Sequence, residues 1–173
     1  MPLQRILVVV PTLNEERAIA DVLGQLMRDL PDDLVVRLVV CDGGSTDATP
    51  EIVARVAAAD PRVGFLHNPR RLQSAALNLA AQRFGATFDI LVRCDAHAEY
   101  PAGFIADLVH SMQRVGADAV VVPMDSIGDG CIRRAIAWVS DTPLGSGGSA
   151  HRGGMRSGFV DHGHHAAFKM SSF

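Results

Sequence analysis

Residues 6–16 read ILVVVPTLNEE, an unbroken apolar run that passes directly into a polar loop. Because a half-exposed strand would alternate apolar and polar side chains, the continuous run at residues 6–10 predicts a strand covered on both faces, as in a parallel sheet. Pro11 ends the run after far fewer residues than a membrane span requires. The stretch therefore predicts an inner strand of an α/β sheet with a polar loop at its carboxyl end.

Strands and helices alternate along the rest of the chain. Further strand-like runs lie at residues 35–40, 63–66, 90–92 and 119–122. The segments between them space apolar residues three and four apart, which is typical of one buried helix face. Thr49 followed by Pro50 is typical of a helix start. This order predicts an α/β fold in which a mainly parallel sheet is flanked by helices on both sides.

Composition limits the classes of function. The chain has 16 basic and 19 acidic residues, so it lacks the basic field that would hold a nucleic-acid backbone. A length of 173 residues with 48 % hydrophobic residues predicts a single domain over residues 1–173. The three cysteines are odd in number and widely spaced, and no signal peptide or membrane-spanning pattern is visible. We therefore expect small buried thiols and a cytoplasmic protein.

Polar residues gather in three loops that each follow a strand, at residues 11–16, 41–47 and 93–101. In a parallel sheet the carboxyl ends of the strands meet at one edge, so these loops are expected to line one cleft. In the second loop, Asp42 can accept hydrogen bonds and the paired glycines after it allow a ligand close to the backbone. An ordinary turn that leads into a helix cap would have the same composition.

The third loop carries a candidate metal site. Asp95 and His97 place a carboxylate and an imidazole one residue apart. This pair suits Mn²⁺ and, less well, Mg²⁺, and such an ion could bridge the two phosphates of a sugar nucleotide. Taken alone, the pair favours a helix-capping carboxylate beside an exposed histidine over a metal site.

Two later segments favour structural interpretations. The cluster of Asp161, His162, His164 and His165 resembles a zinc site, but we interpret it as a loop beside a strand. The segment at 132–139, which contains Trp138, predicts a packed amphipathic helix rather than a sugar-stacking platform. Glycine, serine and basic residues at 141–158 predict a loop.

The three strand-end loops together resemble the successive donor-site motifs of family-2 glycosyltransferases. The matching stretches read VVVPTLNEE at residues 8–16, VCDGGSTD at 40–47 and RCDAHA at 93–98. The last two are most similar to the bacterial exopolysaccharide branch, which includes succinoglycan-type glucosyltransferases. Over about residues 4–170, the resemblance implies a GT-A fold and an inverting transfer from a nucleotide diphosphate sugar, often a uridine one.

The resemblance also implies roles for individual residues. Pro11, Asn14 and Glu15 would border the base and ribose, and Asp42 would accept a hydrogen bond from the base. Arg71 and Asn78 would lie near the nucleotide or the diphosphate. Asp95 and His97 would hold Mn²⁺ or Mg²⁺ against the diphosphate.

Two departures from the family pattern shape the expected function. His97 stands where a second aspartate is usual, which leaves the choice of metal open. Family members usually continue to an acidic motif that supplies the general base, so we expect a nucleotide-sugar-binding half at 1–123 and an incomplete acceptor-side region at 124–173.

Two functional hypotheses follow. The first is an enzyme that serves a saccharide or lipid-linked acceptor, cytoplasmic or at the inner face of the membrane. The alternative is a non-catalytic nucleotide-sugar-binding remnant. Another nucleotide enzyme, such as a nucleotidyltransferase, is disfavoured because residues 11–16 contain neither glycine nor lysine.

Overall fold

A computed structural model describes residues 3–123, 125–128, 130–142, 145, 158–160 and 167–173. The chain divides into two compact units, one formed by residues 1–120 with 167–173 and the other by residues 121–166. The division lies close to the expected boundary between the two halves. The return of the last seven residues to the first unit was not expected, and a single domain over the whole chain stays a prediction.

The described residues form a six-stranded, mainly parallel sheet. Its strands are β1 (Gln4–Thr12), β2 (Leu34–Asp42), β3 (Val63–His67), β4 (Ile90–Arg93), β5 (Ala119–Val120) and β6 (Ala167–Lys169). Their order is β3-β2-β1-β4-β6-β5. The first four run parallel, whereas β6 pairs antiparallel with both β4 and β5. The predicted α/β class is confirmed, while the strand predicted at 119–122 ends at Val120 and β6 was not predicted.

Helices connect and flank the strands. In the first unit they are α1 (Ile19–Leu26), α2 (Thr49–Ala59), α3 (Gln73–Phe84) and α4 (Phe104–Val115), with short 3₁₀ turns at Gly85–Thr87 and Met170–Ser172. The second unit contains helix α5 (Gly130–Ser140). Pro50 lies in the first turn of α2, as the sequence predicts. Within the described ranges, no helix has the length and apolar character needed to cross a membrane.

Both faces of the central strand are covered. Residues 6–10 of β1 are fully buried. Leu7 and Val9 share one apolar cluster with Ala76 and Ala80 of α3. Side chains alternate along a strand, so the other three residues of this run point to the opposite face. The unbroken apolar run is therefore explained by burial on two sides, and it gives the following loop a rigid support.

The second unit departs from one prediction. Helix α5 forms where the apolar spacing predicted it, but Ala137 is its only buried residue in the described part of the chain. Trp138 is 72 % exposed, and Ile132 and Ile136 are exposed as well. The expected packing is therefore wrong for these residues, because spacing can define a helix face without supplying the surface that covers it. The cluster at Asp161–His165 and most of the loop at 141–158 lie outside the described residues.

Candidate functional site

The parallel register brings the three polar loops to one edge of the sheet. Thr12 at the end of β1 pairs with Asp42 at the end of β2, and Val9 pairs with Arg93 at the end of β4. Gly43 N donates to the carbonyl oxygen of Thr12 at 2.8 Å, which aligns the start of the second loop with the first. The loops therefore begin side by side, as the topology predicts.

A cavity of about 140 Å³ lies among these loops. Its wall is formed by Pro11, Thr12, Leu13, Glu15, Cys41, Gly43, Asn68, Arg71, Leu72, Gln73, Asp95, Ala96 and His97. Five of the residues singled out from the sequence are among them. A larger cavity of about 690 Å³ lies at the opposite edge, where β1 and β4 begin, and holds none of those residues. We assign the candidate site to the smaller cavity because the polar loops converge there.

Three residues singled out from the sequence do not line this cavity, namely Asn14, Asp42 and Asn78. Asn78 is an exposed residue of α3. Asp42 is only 2 % exposed, and its carboxylate accepts from Gly44 N at 2.8 Å, from Ser45 N at 2.9 Å and from the Ser45 hydroxyl. In this structure Asp42 therefore holds the glycine turn, and its predicted contact with a base stays a prediction.

Asn14 joins the first loop to the second. Its Oδ1 accepts from Thr46 N at 2.8 Å, while its own N–H donates to Ser45 Oγ at 2.8 Å. The residue has φ of 55°, a left-handed conformation that asparagine tolerates better than most residues. The two loops are thereby held as one unit, a task for Asn14 that the sequence did not reveal.

The glycine turn lies beside Arg71. Gly44 has φ of +86°, and a Cβ at this position would lie 3.4 Å from Nη2 of Arg71. A Cβ at Gly43 would lie 3.5 Å from the Arg71 Cα. Asn68 fixes the loop that carries Arg71, since its N–H donates to the Asp42 carbonyl at 2.7 Å and its Nδ2 to the Leu72 carbonyl at 3.0 Å. Arg71 therefore lies at the cavity wall with its guanidinium beside the glycine turn.

Asp95 is held by residues that the sequence did not single out. Nη2 of Arg93 donates to its Oδ1 at 3.1 Å and to Oε1 of Gln73 at 3.0 Å. The backbone N–H of Asp95 donates to the Tyr100 hydroxyl at 2.7 Å, and Tyr100 N donates to Oε1 of Gln25 at 2.7 Å. Burial raises the pKa of the Tyr100 phenol, so it stays a neutral hydrogen-bonding group. One signal was available, because Arg93 and Asp95 lie two residues apart in extended chain and so project to the same side.

His97 pairs with Glu15 across the cavity. Nδ1 of His97 lies 2.9 Å from Oε1 of Glu15. The histidine side chain is 65 % exposed, whereas that of Glu15 is 23 % exposed. Glu15 therefore contacts the candidate metal ligand in this structure, and its predicted place beside the base and ribose stays a prediction.

The donor set suits a divalent cation held jointly with a ligand. No group of three or more His, Cys, Asp and Glu side chains that could hold an ion occurs among the described residues. Asp95 and His97 do line one cavity, and a carboxylate with an imidazole fits Mn²⁺. The chain thus offers part of a coordination shell, and the phosphate oxygens of a bound nucleotide could complete it.

The cysteines fall into two classes. Cys41 and Cys94 are buried, as predicted, and Cys131 on α5 is exposed. Burial raises the pKa of the Cys41 thiol to about 12 and also raises that of Cys94. The two buried thiols therefore act as small apolar side chains beneath the loops.

Residues 7–173 match the model of the family described as "Glycosyl transferase family 2". The chain belongs to glycosyl transferase family 2. A curated relative, the succinoglycan biosynthesis protein ExoA of Rhizobium meliloti, is 44 % identical over 167 residues, which are 96 % of this chain and 50 % of that protein. The polyprenol monophosphomannose synthase of Mycolicibacterium smegmatis is 30 % identical over 69 % of this chain and 45 % of its own length.

Solved structures of glycosyltransferases share this fold. The mannosyltransferase PcManGT from Pyrobaculum calidifontis, in complex with GDP-Man and Mn²⁺, has a TM-score of 0.64 and 31 % identity, covering 95 % of this chain and 44 % of that one. Glucosyl-3-phosphoglycerate synthase from Mycobacterium tuberculosis has a TM-score of 0.55 and 22 % identity, covering 97 % of this chain and 57 % of that one. These similarities confirm the GT-A fold. The family-2 chain described here spans about half the length of the curated relatives it matches.

Proposed function

We propose that this chain binds a nucleotide diphosphate sugar in the cavity at the carboxyl ends of β1, β2 and β4, and transfers the sugar with inversion. The observation that carries the proposal is the meeting of Pro11, Glu15, Arg71, Asp95 and His97 around one cavity. These residues come from three separate segments of the sequence, and the resemblance to family-2 glycosyltransferases links each of them to donor binding.

The charges of the site would favour a diphosphate once a divalent cation is bound, because those of the side chains cancel. Glu15 and Asp95 contribute two negative charges near the cavity, and Arg71 and Arg93 contribute two positive ones. Asp95 and His97 would hold Mn²⁺ or Mg²⁺, with phosphate oxygens as further ligands. The bound cation would supply Lewis-acid stabilisation of the charge on the departing nucleoside diphosphate. Arg71, whose guanidinium lies beside the glycine turn, would add a hydrogen-bonding cation beside the same phosphates.

The relatives favour a donor and an acceptor class without fixing either. Similarity to a succinoglycan biosynthesis protein favours a growing exopolysaccharide as acceptor, and similarity to a polyprenol monophosphomannose synthase favours a lipid-linked one. We propose a uridine donor because the motifs resemble those of enzymes that often use one. A guanosine donor should be tested beside it, because PcManGT forms a complex with GDP-Man. A lipid-linked or polymeric acceptor would place the protein at the cytoplasmic face of the membrane.

One observation favours the alternative of a donor-binding chain that transfers nothing. The carboxylates lining the cavity within the described ranges are those of Glu15 and Asp95. Glu15 contacts His97 and Asp95 contacts Arg93. Both are thus engaged in the donor half of the site, whereas an inverting transfer needs a base that takes the acceptor proton, an effect typically worth about 10²- to 10⁴-fold in rate.

A paired measurement separates the two functions. The purified chain is incubated with UDP-glucose or GDP-mannose, Mn²⁺, and either polyprenyl phosphate or an exopolysaccharide fragment, and release of nucleoside diphosphate is followed beside the melting temperature. A melting shift with acceptor-dependent release supports transfer. A shift without release supports the binding chain, and the absence of both with either nucleotide would remove the proposal.

A further inference from the structure

The contact between Glu15 and His97 determines which ring nitrogen carries the proton. Nδ1 of His97 lies 2.9 Å from Oε1 of Glu15. An ionised carboxylate can only accept hydrogen bonds, so if Glu15 is ionised the contact requires Nδ1 to be the donor. In a neutral imidazole the lone pair then belongs to Nε2, the nitrogen on the other side of the ring.

We propose that Glu15 is a positioning residue that fixes His97 as its Nδ1–H tautomer and thereby presents Nε2 to the divalent cation. The inference rests on the proposed function, since it concerns the same metal site. It assigns to Glu15 a task different from the contact with base and ribose that the motif resemblance implies.

Glu15 is the anchored member of the pair. Its N–H donates to Thr49 Oγ1 at 2.9 Å, and Thr49 is fully buried. Its carbonyl accepts from Ala18 N at 3.1 Å and from Ile19 N at 3.0 Å at the start of α1. His97 has a side chain that is 65 % exposed and that can rotate about its own bonds. Glu15 therefore sets the orientation of the ring, rather than the reverse.

The pair also adjusts the charge around the cation. His97 stands where a second aspartate is usual, and a neutral imidazole carries no negative charge. A carboxylate that accepts from the far side of a metal-binding imidazole raises its basicity, and loss of such a partner typically weakens metal binding by about 10- to 100-fold. Asp95 and Glu15 together would give the site the two negative charges of a pair of aspartates.

The first test reads the tautomer in metal-free protein. Two-bond ¹⁵N–¹H correlations of the histidine rings are recorded at about pH 8.5, where an ordinary imidazole is neutral, and His97 is assigned with His97→Gln. We expect the Nδ1–H pattern in the natural chain and in Glu15→Gln, whose amide oxygen can still accept. Glu15→Ala is expected to shift His97 to the Nε2–H form. An Nε2–H pattern in the natural chain, or an unchanged one in Glu15→Ala, overturns the inference.

The second test measures Mn²⁺ affinity by electron paramagnetic resonance in the presence of UDP. Glu15→Ala is expected to bind Mn²⁺ about 10- to 100-fold more weakly. Glu16→Gln is the matched control, because the Glu16 carboxylate accepts from Ala48 N and does not touch His97 in the structure. Equal losses in Glu16→Gln and Glu15→Ala overturn the inference. If the natural chain binds no Mn²⁺ in the presence of UDP, the proposed metal site is wrong. If the first test nevertheless shows the Nδ1–H tautomer, the contact between Glu15 and His97 has a purely structural role.

Discussion

Nη2 of Arg93 lies 3.1 Å from Oδ1 of Asp95, so the carboxylate assigned to the cation already has a positive neighbour. Both side chains are largely buried, at 18 % and 11 % exposure, where charges are screened less than at the surface. A cation approaching Asp95 therefore meets a carboxylate whose charge is partly neutralised. The negative charge of a diphosphate is expected to be needed for tight binding of the metal.

Removing the Arg93 guanidinium tests whether burial determines the strength of this pair. Arg93→Met is expected to lower the free energy of unfolding by about 1–3 kcal/mol, because Asp95 stays largely buried without its charged partner. Arg62→Met is the control, since the Arg62 guanidinium makes three hydrogen bonds to Asp60 but its side chain is 47 % exposed. That change should cost only about 0–1 kcal/mol. Urea unfolding of both variants decides, and a larger loss in Arg62→Met contradicts the burial argument.

The glycine turn gives a second prediction. Gly44→Ala is expected to lower the free energy of unfolding by about 1–2 kcal/mol, because its φ of +86° disfavours any Cβ. Gly24→Ala provides the matched change in α1, where nothing lies within 4 Å of the added atom. It should stabilise the protein by about 0.5–1 kcal/mol through helix propensity. Thermal unfolding that shows the same sign for both variants would refute this explanation.

Asn14 offers a way to separate backbone strain from a side-chain hydrogen bond. Asn14→Gly keeps the left-handed conformation accessible and loses the hydrogen bonds that the side chain accepts from Thr46 N and Thr46 Oγ1, at a cost of about 0.5–1.5 kcal/mol. Asn14→Ala loses the same bonds and also adds backbone strain, so it should cost about 1 kcal/mol more. Chemical denaturation of the two variants gives the difference. Equal stability would mean that the backbone conformation at this position is not under strain.

The buried thiols predict a loss of stability in alkali. Burial raises the pKa of the Cys41 thiol to about 12, while a thiol in the unfolded chain has a pKa of about 8.5. Above that pH the unfolded state loses a proton that the folded state keeps, so the free energy of unfolding falls as pH rises towards 12. The slope should approach about 1.4 kcal/mol per pH unit for this thiol. The check is urea unfolding of the natural chain and of Cys41→Ala at several alkaline pH values. If the free energy of unfolding falls equally steeply in Cys41→Ala, Cys41 is excluded as a cause.

Much of the fold followed from the sequence because the physics involved is local. Unbroken apolar runs marked β1, β2 and β4, and the parallel topology alone placed residues 11–16, 41–47 and 93–101 at one edge. Strand β6 was not predicted because it has only three residues, too few to show a periodic pattern. Its antiparallel pairing depends on the neighbouring strands. The packing predicted for α5 was wrong because spacing defines a face but not its partner.

The candidate site was predictable in position but not in its contacts. Asp95 and His97 were singled out by their chemistry, and their role as metal ligands stays a prediction. The tasks of Asn14, Asp42 and Glu15 in the structure depend on hydrogen-bond partners, and for Asn14 and Glu15 these partners are distant in sequence. Spacing within one motif cannot show such contacts. Arg93 was overlooked because a basic residue at a strand end is usually a solvated side chain, and only its distance to Asp95 reveals what it does.

The central claim is that Asp95 and His97 hold a cation against the diphosphate of a sugar nucleotide. The test is a calorimetric titration with UDP-sugar and GDP-sugar donors in the presence of Mn²⁺. The proteins compared are the natural chain, Asp95→Asn, His97→Ala and the control His110→Ala. His110 suits the control because its exposed imidazole faces Asp33. We predict that the first two substitutions weaken donor binding by at least about tenfold, or 1.4 kcal/mol, while His110→Ala binds as the natural chain does. Equal donor affinity in all four proteins, or binding that does not depend on a divalent cation, would contradict the account.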